Sequence, residues 1–198
     1  MGEHPGGDAA EGGRQRLFIG VPLPEDLLDL VRRAQHSLPP STGLRLVRPD
    51  HLHVTLAFIG EVDGAKAEAA RAVVETLPAG LGGTADVTGF LMLPSARRAR
   101  VVALELTDRE RVFAGLFERA MGGLEAAAVM VREGRPFRPH LTIARLKVPG
   151  PVQPRAESGR APYAVESVCL YKSELKREGA RYIVLARATF DRKSGTTV

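Results

Sequence analysis

The sequence has no tryptophan and a single cysteine, Cys169. One cysteine excludes an internal disulfide framework and a cysteine-rich zinc site, and its apolar neighbours predict a small buried side chain. No apolar run approaches the roughly 20 residues that a membrane-spanning helix requires. The N-terminal stretch has neither the basic start nor the apolar core of a signal peptide. We therefore expect a globular monomer of the reducing cytoplasm that does not contact a membrane.

Glycine-rich nucleotide-binding fingerprints are also missing, which excludes a P-loop and a Rossmann dinucleotide site. What the chain does have is positive charge, with a net charge of +5 and a pI of about 9.8. A basic balance favours anionic partners such as nucleic acid. Arginine supplies most of this charge, and arginine-rich usage can reflect a genome-wide bias, so the charge is weak support.

The order of apolar runs and breakers predicts one folded domain between two loose ends. Residues 1–14 are rich in glycine and poor in apolar side chains, which predicts a disordered tail. We expect a single two-lobed domain over residues 15–191 and a flexible tail over 192–198. Within the domain, Asp63 is expected to cap the second helix, and Thr107 or Asp108 the third. A pair of glycines at 122–123 predicts the end of that third helix.

The chain contains an internal repeat in the order of its predicted elements. Residues 16–60 and residues 100–146 each predict a strand, a helix, an Arg-Pro and a second strand. The last part, residues 163–190, predicts two strands joined by a polar turn. We therefore expect an α+β fold of two pseudo-symmetric lobes, each an antiparallel sheet backed by helices, with a central cleft between them.

Two stretches share a pattern of Arg-Pro, histidine, one apolar residue and threonine. The first is RPDHLHVTLAFIG at residues 48–60, which contains His53 and Thr55. The second is FRPHLTIARL at residues 137–146, which contains His140 and Thr142. One His-x-Thr is common in unrelated proteins, but two at equivalent positions of a repeat indicate a shared site.

Strict alternation along each strand predicts which neighbours face the site. Because alternate side chains of a strand share a face, an imidazole and a hydroxyl should lie side by side on each. Phe58 and Arg145 should then point to the opposite, core side. The expected polar faces are His51, His53, Thr55 and Ala57 on the first strand, and Arg138, His140, Thr142 and Ala144 on the second.

Two histidines and two hydroxyls around one space can transfer a phosphoryl group without a metal. Histidine titrates near neutral pH, so one ring can act as a base and the other as an acid. Threonine hydroxyls can donate hydrogen bonds to phosphate oxygens as charge develops in the transition state. Two alternatives remain open: a zinc site using His51, His53 and His140, and a non-catalytic module that binds RNA or phosphate in the same cleft.

The sequence resembles the 2H phosphoesterases, and among them the RNA 2′,3′-cyclic phosphodiesterases, also called 2′-5′ RNA ligases. The stretches that carry this resemblance are RLFIGVPLP, VRPDHLHVTLAFIGEV, PFRPHLTIARL and LYKSELKREGARYIVLARATF. The resemblance implies hydrolysis of terminal 2′,3′-cyclic phosphates of RNA, or of nucleoside cyclic phosphates, to 2′-phosphates. It also implies possible reversal as 2′-5′ ligation, with no metal and no cofactor.

The resemblance implies a role for each residue of the two motifs. His140 would be the proton acceptor and His53 the proton donor, with Thr55 and Thr142 binding the phosphate. Arg138 shares the parity of His140 and could meet a phosphate in a bidentate contact, or could be a solvated charge. Phe18 could stack on a base, or could be a core phenylalanine.

Overall fold

The computed structural model describes residues 13–40, 43–132, 134, 136–176 and 179–191. Residues 1–12 of the predicted N-terminal tail and the whole predicted tail at 192–198 lie outside the described residues. Three α-helices occur in the described part of the chain: α1 at Leu28–His36, α2 at Gly64–Glu75 and α3 at Val112–Ala126. None of the helices in these ranges is long and apolar enough to cross a membrane.

The described residues also form nine strands, all paired in the antiparallel sense. The strands are β1 at Gln15–Pro22, β2 at Leu44–Leu46, β3 at His53–Val62, β4 at Gly83–Leu93, β5 at Ala99–Thr107, β6 at His140–Gly150, β7 at Ala161–Val165, β8 at Ser167–Lys176 and β9 at Gly179–Thr189. Their order is β7-β4-β5-β6-β3-β1-β8-β9, with β2 pairing β6. The α+β class is therefore confirmed.

The sheet has two halves that meet at a narrow junction. Strands β9, β8, β1 and β3 form one half, and β7, β4, β5 and β6 form the other. The halves are joined by β3 and β6, which pair only at Val54 and Leu141. Each half therefore contributes one of the two His-x-Thr strands, and these strands lie next to each other at the centre.

The helices pack on both halves, and α3 contacts a strand of each. Helix α1 contacts β6, whereas α3 contacts both β3 and β4, and α2 contacts β1, β8 and β9. On α3, the side chains of Phe113, Leu116 and Leu124 are fully buried. Burial of each such side chain contributes about 1.5–3 kcal/mol relative to its exposure. The histidine-bearing strands therefore rest on a shared apolar core.

The helix starts follow their predicted caps. The Asp63 carboxylate accepts a hydrogen bond of 2.9 Å from the backbone N–H of Lys66, at the first turn of α2. The Asp108 carboxylate accepts hydrogen bonds from the N–H groups of Val112 and Ala114 at the start of α3. These bonds satisfy backbone donors that have no partner within the helix.

The predicted end of α3 at the two glycines was wrong, because α3 continues to Ala126. Packing explains the second glycine. A Cβ atom on Gly123 would lie 2.7 Å from Cγ1 of Val73, so only glycine allows α2 and α3 to approach this closely. The glycine therefore serves helix packing and not helix termination.

The prediction of one continuous strand over residues 163–175 was wrong as well, because the structure has two strands there. Residue 166 separates β7, which pairs with β4, from β8, which pairs with β1 in the other half of the sheet. The Tyr163 hydroxyl on β7 donates a hydrogen bond of 2.9 Å to the carbonyl of Pro22 on β1. The chain therefore crosses between the two halves at this point, and the halves face each other.

Candidate active site

The central pair of strands brings the four motif residues together. Continuing the antiparallel register of Val54 and Leu141 by one residue in each direction places His53 towards Thr142 and Thr55 towards His140. Thr55 and His140 also line one pocket of about 530 Å³. Along the backbone, each histidine thus lies opposite the threonine of the other motif.

The two imidazoles make the same backbone contact. Nδ1 of His53 lies 2.8 Å from the carbonyl oxygen of His51, and Nδ1 of His140 lies 2.8 Å from that of Arg138. A carbonyl oxygen can only accept, so Nδ1 carries a proton in both rings. Nε2 is then the nitrogen that takes up or releases a proton, which makes each ring an acid or a base at Nε2.

Packing makes the two histidines different. The His53 ring stacks on Phe18 with 4.7 Å between centroids, and a Cβ atom on Gly20 would lie 3.0 Å from its Cδ2. His140, by contrast, lines the open pocket. Burial lowers the pKa of His53 from 6.5 to about 4. The hydrogen bond to the His51 carbonyl raises this pKa, and the charges of Arg145, His51 and His140 lower it further.

This low pKa predicts a pH-dependent stability. Between pH 6.5 and about 4 the unfolded chain binds a proton at His53 that the folded chain does not, so folding weakens as pH falls. This proton binding at His53 should lower the free energy of unfolding by about 3 kcal/mol between neutral pH and pH 4. Denaturant unfolding of the wild type and of His53→Asn at both pH values measures it. The variant should show the smaller loss, and equal losses would contradict a half-buried imidazole that stays neutral in the folded chain.

A β-bulge after Thr55 corrects the predicted faces of β3. The register pairs Gly20 with Thr55 and Ile19 with Ala57, which leaves Leu56 as an extra residue on β3. Ala57 is therefore buried at 4% exposure, and Phe58 is exposed at 53%. The expectation that Ala57 lies on the polar face and Phe58 in the core was wrong, because a bulge shifts the alternation by one residue.

A matching bulge follows Thr142 on β6. Ala103 pairs with Thr142 and Val102 with Ala144, so Ile143 is the extra residue. The Ile143 carbonyl accepts a hydrogen bond from Nε2 of Gln35 on α1 at 2.9 Å, which satisfies a group that the bulge displaces. Ala144 is buried and Arg145 is exposed, so the predicted places of both were wrong.

Because of the bulges, Phe58 and Arg145 lie on the same side as the site. Strict alternation of strand faces had predicted both in the core. Phe58 lines the pocket beside Thr55, and the guanidinium carbon of Arg16 lies 5.0 Å from the centre of its ring. Arg145 is close enough for its charge to lower the pKa of His53. The repeated spacing of the two motifs offered a signal here, since Phe58 and Arg145 both stand five residues after their histidines.

The two predicted substrate-binding residues, Arg138 and Phe18, are each engaged by neighbouring side chains. Arg138 lines the pocket, but its guanidinium forms an ion pair with the Glu105 carboxylate. Phe18 is 4% exposed, with His53 and Tyr171 stacked against it, so little of the ring is available to a base. Substrate contacts of Arg138 and Phe18 stay predictions.

His51 lies in a 3₁₀ turn at Pro49–His51 and not on the strand, contrary to its predicted place. Its ring packs against Tyr182, with 4.4 Å between centroids. Within the described residues, no three His, Cys, Asp or Glu side chains are grouped as metal ligands. The zinc alternative therefore has no ligand set among these residues.

Comparison with known proteins identifies the family of this chain. The sequence profile described as LigT like Phosphoesterase matches residues 21–103 and 113–182. The RNA 2′,3′-cyclic phosphodiesterase of Escherichia coli is 33% identical over 183 residues, which span 87% of this chain and 95% of that protein.

Two solved structures have the same fold. TT0787 of Thermus thermophilus superposes with a TM-score of 0.77 at 31% identity, over 90% of this chain and 99% of its own. The E. coli LigT complex with 3′-AMP superposes with a TM-score of 0.72 at 28% identity, over 89% and 98%.

A two-part antiparallel sheet with two His-x-Thr strands side by side at its centre has the fold of a 2H phosphoesterase. The chain belongs to the LigT-like phosphoesterase family, since the profile covers more than half of it. The resemblance inferred from the sequence is thereby confirmed, and the protein is a hydrolase of phosphoric diesters.

Proposed function

We propose that this enzyme hydrolyses the terminal 2′,3′-cyclic phosphate of RNA to a 2′-phosphate by acid–base catalysis between His53 and His140. The observation that carries the proposal is the paired geometry of these rings, each with Nδ1 held by a backbone carbonyl and each on one of the two strands that pair at the centre of the sheet. The names of the relatives support the choice of substrate.

The proposed reaction balances with water as the only co-reactant. Nε2 of His140 takes a proton from water as the water oxygen attacks phosphorus. The bond from phosphorus to the ribose O3′ breaks, and protonated Nε2 of His53 gives its proton to O3′. The 2′-phosphate remains on the RNA. A ribose 5′-hydroxyl could take the place of water: it would lose its proton to Nε2 of His140 as its oxygen attacks phosphorus, the bond to O3′ would break with a proton from His53, and a 2′-5′ phosphodiester would form.

Other residues of the two motif strands would bind the substrate. The hydroxyls of Thr55 and Thr142 can donate to the non-bridging phosphate oxygens, and the exposed Arg145 guanidinium can neutralise their charge. Phe58 exposes aromatic surface beside Thr55, on which a base can stack. The crystal complex of E. coli LigT with 3′-AMP is consistent with a nucleotide in such a pocket.

The test is hydrolysis of adenosine 2′,3′-cyclic phosphate in the presence of EDTA, with the product identified by chromatography. We expect adenosine 2′-phosphate at the same rate with and without EDTA. Activity lost on chelation would favour a metal site. If folded protein left the substrate unchanged, a module that binds RNA or phosphate without catalysis would be favoured. If the product were adenosine 3′-phosphate, O3′ would not be the leaving group.

A further inference from the structure

A second arginine lies beside Arg145. Strand β2 pairs with β6 in a register that places Arg45 directly opposite Arg145. The flanking pair, Leu44 and Leu146, packs against the apolar core. Since alternate residues of a strand face opposite ways, Arg45 and Arg145 both face away from that core. With Ile143 as the extra residue of the bulge, Arg145 shares the face of Thr142, so Arg45 lies on the side of the sheet that holds the motif residues.

This arrangement places two like charges next to each other. Residues directly opposite in an antiparallel pair have Cβ atoms about 4.5–5.5 Å apart, and like charges there are destabilising. Both side chains are exposed, and in the part of the chain that the structure describes neither forms an ion pair with a carboxylate. Arg138 differs, because Glu105 already balances its charge. The pair is thus suited to a ligand with more than one negative charge.

We propose that Arg45 binds the phosphodiester that links the terminal nucleotide to the preceding nucleotide of the RNA, while Arg145 faces the cyclic phosphate. This inference rests on the proposed function and adds to it a preference for oligonucleotides over mononucleosides. An RNA ending in a cyclic phosphate carries its next negative charge one nucleotide away, on the 5′ side of the same ribose. Two adjacent guanidinium groups match two successive phosphates of one strand.

The experiment compares substrates that differ only in this phosphodiester. One is the dinucleotide ApA with a terminal 2′,3′-cyclic phosphate, and the other is adenosine 2′,3′-cyclic phosphate. A third substrate is the same dinucleotide with a neutral methylphosphonate linkage. Arg45→Ala should lower the ratio of kcat/KM for the dinucleotide to kcat/KM for the mononucleoside by about 10-fold, the value of one charge-assisted hydrogen bond. The methylphosphonate dinucleotide should show no such change in its ratio.

Arg119→Ala is the matched control, because it removes the same charge from an exposed position on α3. Arg119 lies two residues after the pocket residue Phe117, so the two side chains do not share a face of the helix. Arg45→Gln, checked for folding by circular dichroism, serves if the alanine variant does not fold. An unchanged ratio in the folded variant would overturn the Arg45 site. Wild-type protein inactive on all three substrates would instead overturn the proposed function.

Discussion

Replacing His140 by alanine should lower kcat for adenosine 2′,3′-cyclic phosphate by at least about 100-fold, the usual contribution of a positioned acid or base. His53→Ala should lower it at least as much. In each ring Nδ1 is hydrogen-bonded to a backbone carbonyl, so Nε2 is the nitrogen available for the reaction. Steady-state kinetics of each variant and of the double variant measures the effect. Because the two rings act as a unit on one substitution at phosphorus, the double variant should lose little more than either single variant.

His36→Ala supplies the control for this pair. His36 lies in the last turn of α1, where its Nδ1 contacts the carbonyl of Arg32, away from the two central strands. Its replacement should leave kcat within about twofold of the wild type, as is usual for exposed sites. If His53→Ala or His140→Ala behaved like His36→Ala, that histidine would have no part in the chemistry.

The fold was largely predictable because its signals are local and repeated. Caps at Asp63 and Asp108 mark the helix starts, and alternating apolar residues mark the strands. The end of α3 was not predictable, since the role of Gly123 depends on Val73 of another helix. Nor was the break at residue 166, which depends on strands distant in the sequence. Local patterns therefore gave the elements, and long-range packing decided where two of them end.

The candidate site likewise has features that the sequence predicts and features that depend on long-range packing. His53, Thr55, His140 and Thr142 follow from two matching motifs, and the adjacent strands bring them together. Phe58 and Arg145 could not be placed by strict alternation, because one extra residue on each strand reverses the faces beyond it. The environment of the His53 ring could not be predicted from the motif either, since it depends on the packing of Phe18 and Gly20 of β1 against that ring. The motifs thus predict the reacting groups, whereas the lowered pKa of His53 is a tertiary property.

That lowered pKa leads to the second large prediction, which concerns the proton on His53. A pKa of about 4 leaves the ring neutral at pH 7 in the free enzyme, yet the proposed donor must be protonated when O3′ leaves. An anionic phosphate beside the ring favours the imidazolium, and the effect is strong where burial lowers the local dielectric. Binding of adenosine 2′-phosphate should therefore raise the pKa of His53 from about 4 to roughly 6 or higher.

Titration of the His53 ring resonance by NMR, without and with saturating adenosine 2′-phosphate, measures this change directly. The kinetic counterpart is a kcat that falls as pH rises through the pKa of His53 in the complex, whereas kcat/KM reports the free enzyme. A pKa that stays near 4 in the complex would mean that His53 is neutral throughout the reaction at pH 7. The roles would then be exchanged, with His53 as the base and His140 as the acid, because only a protonated ring can supply the proton that O3′ requires.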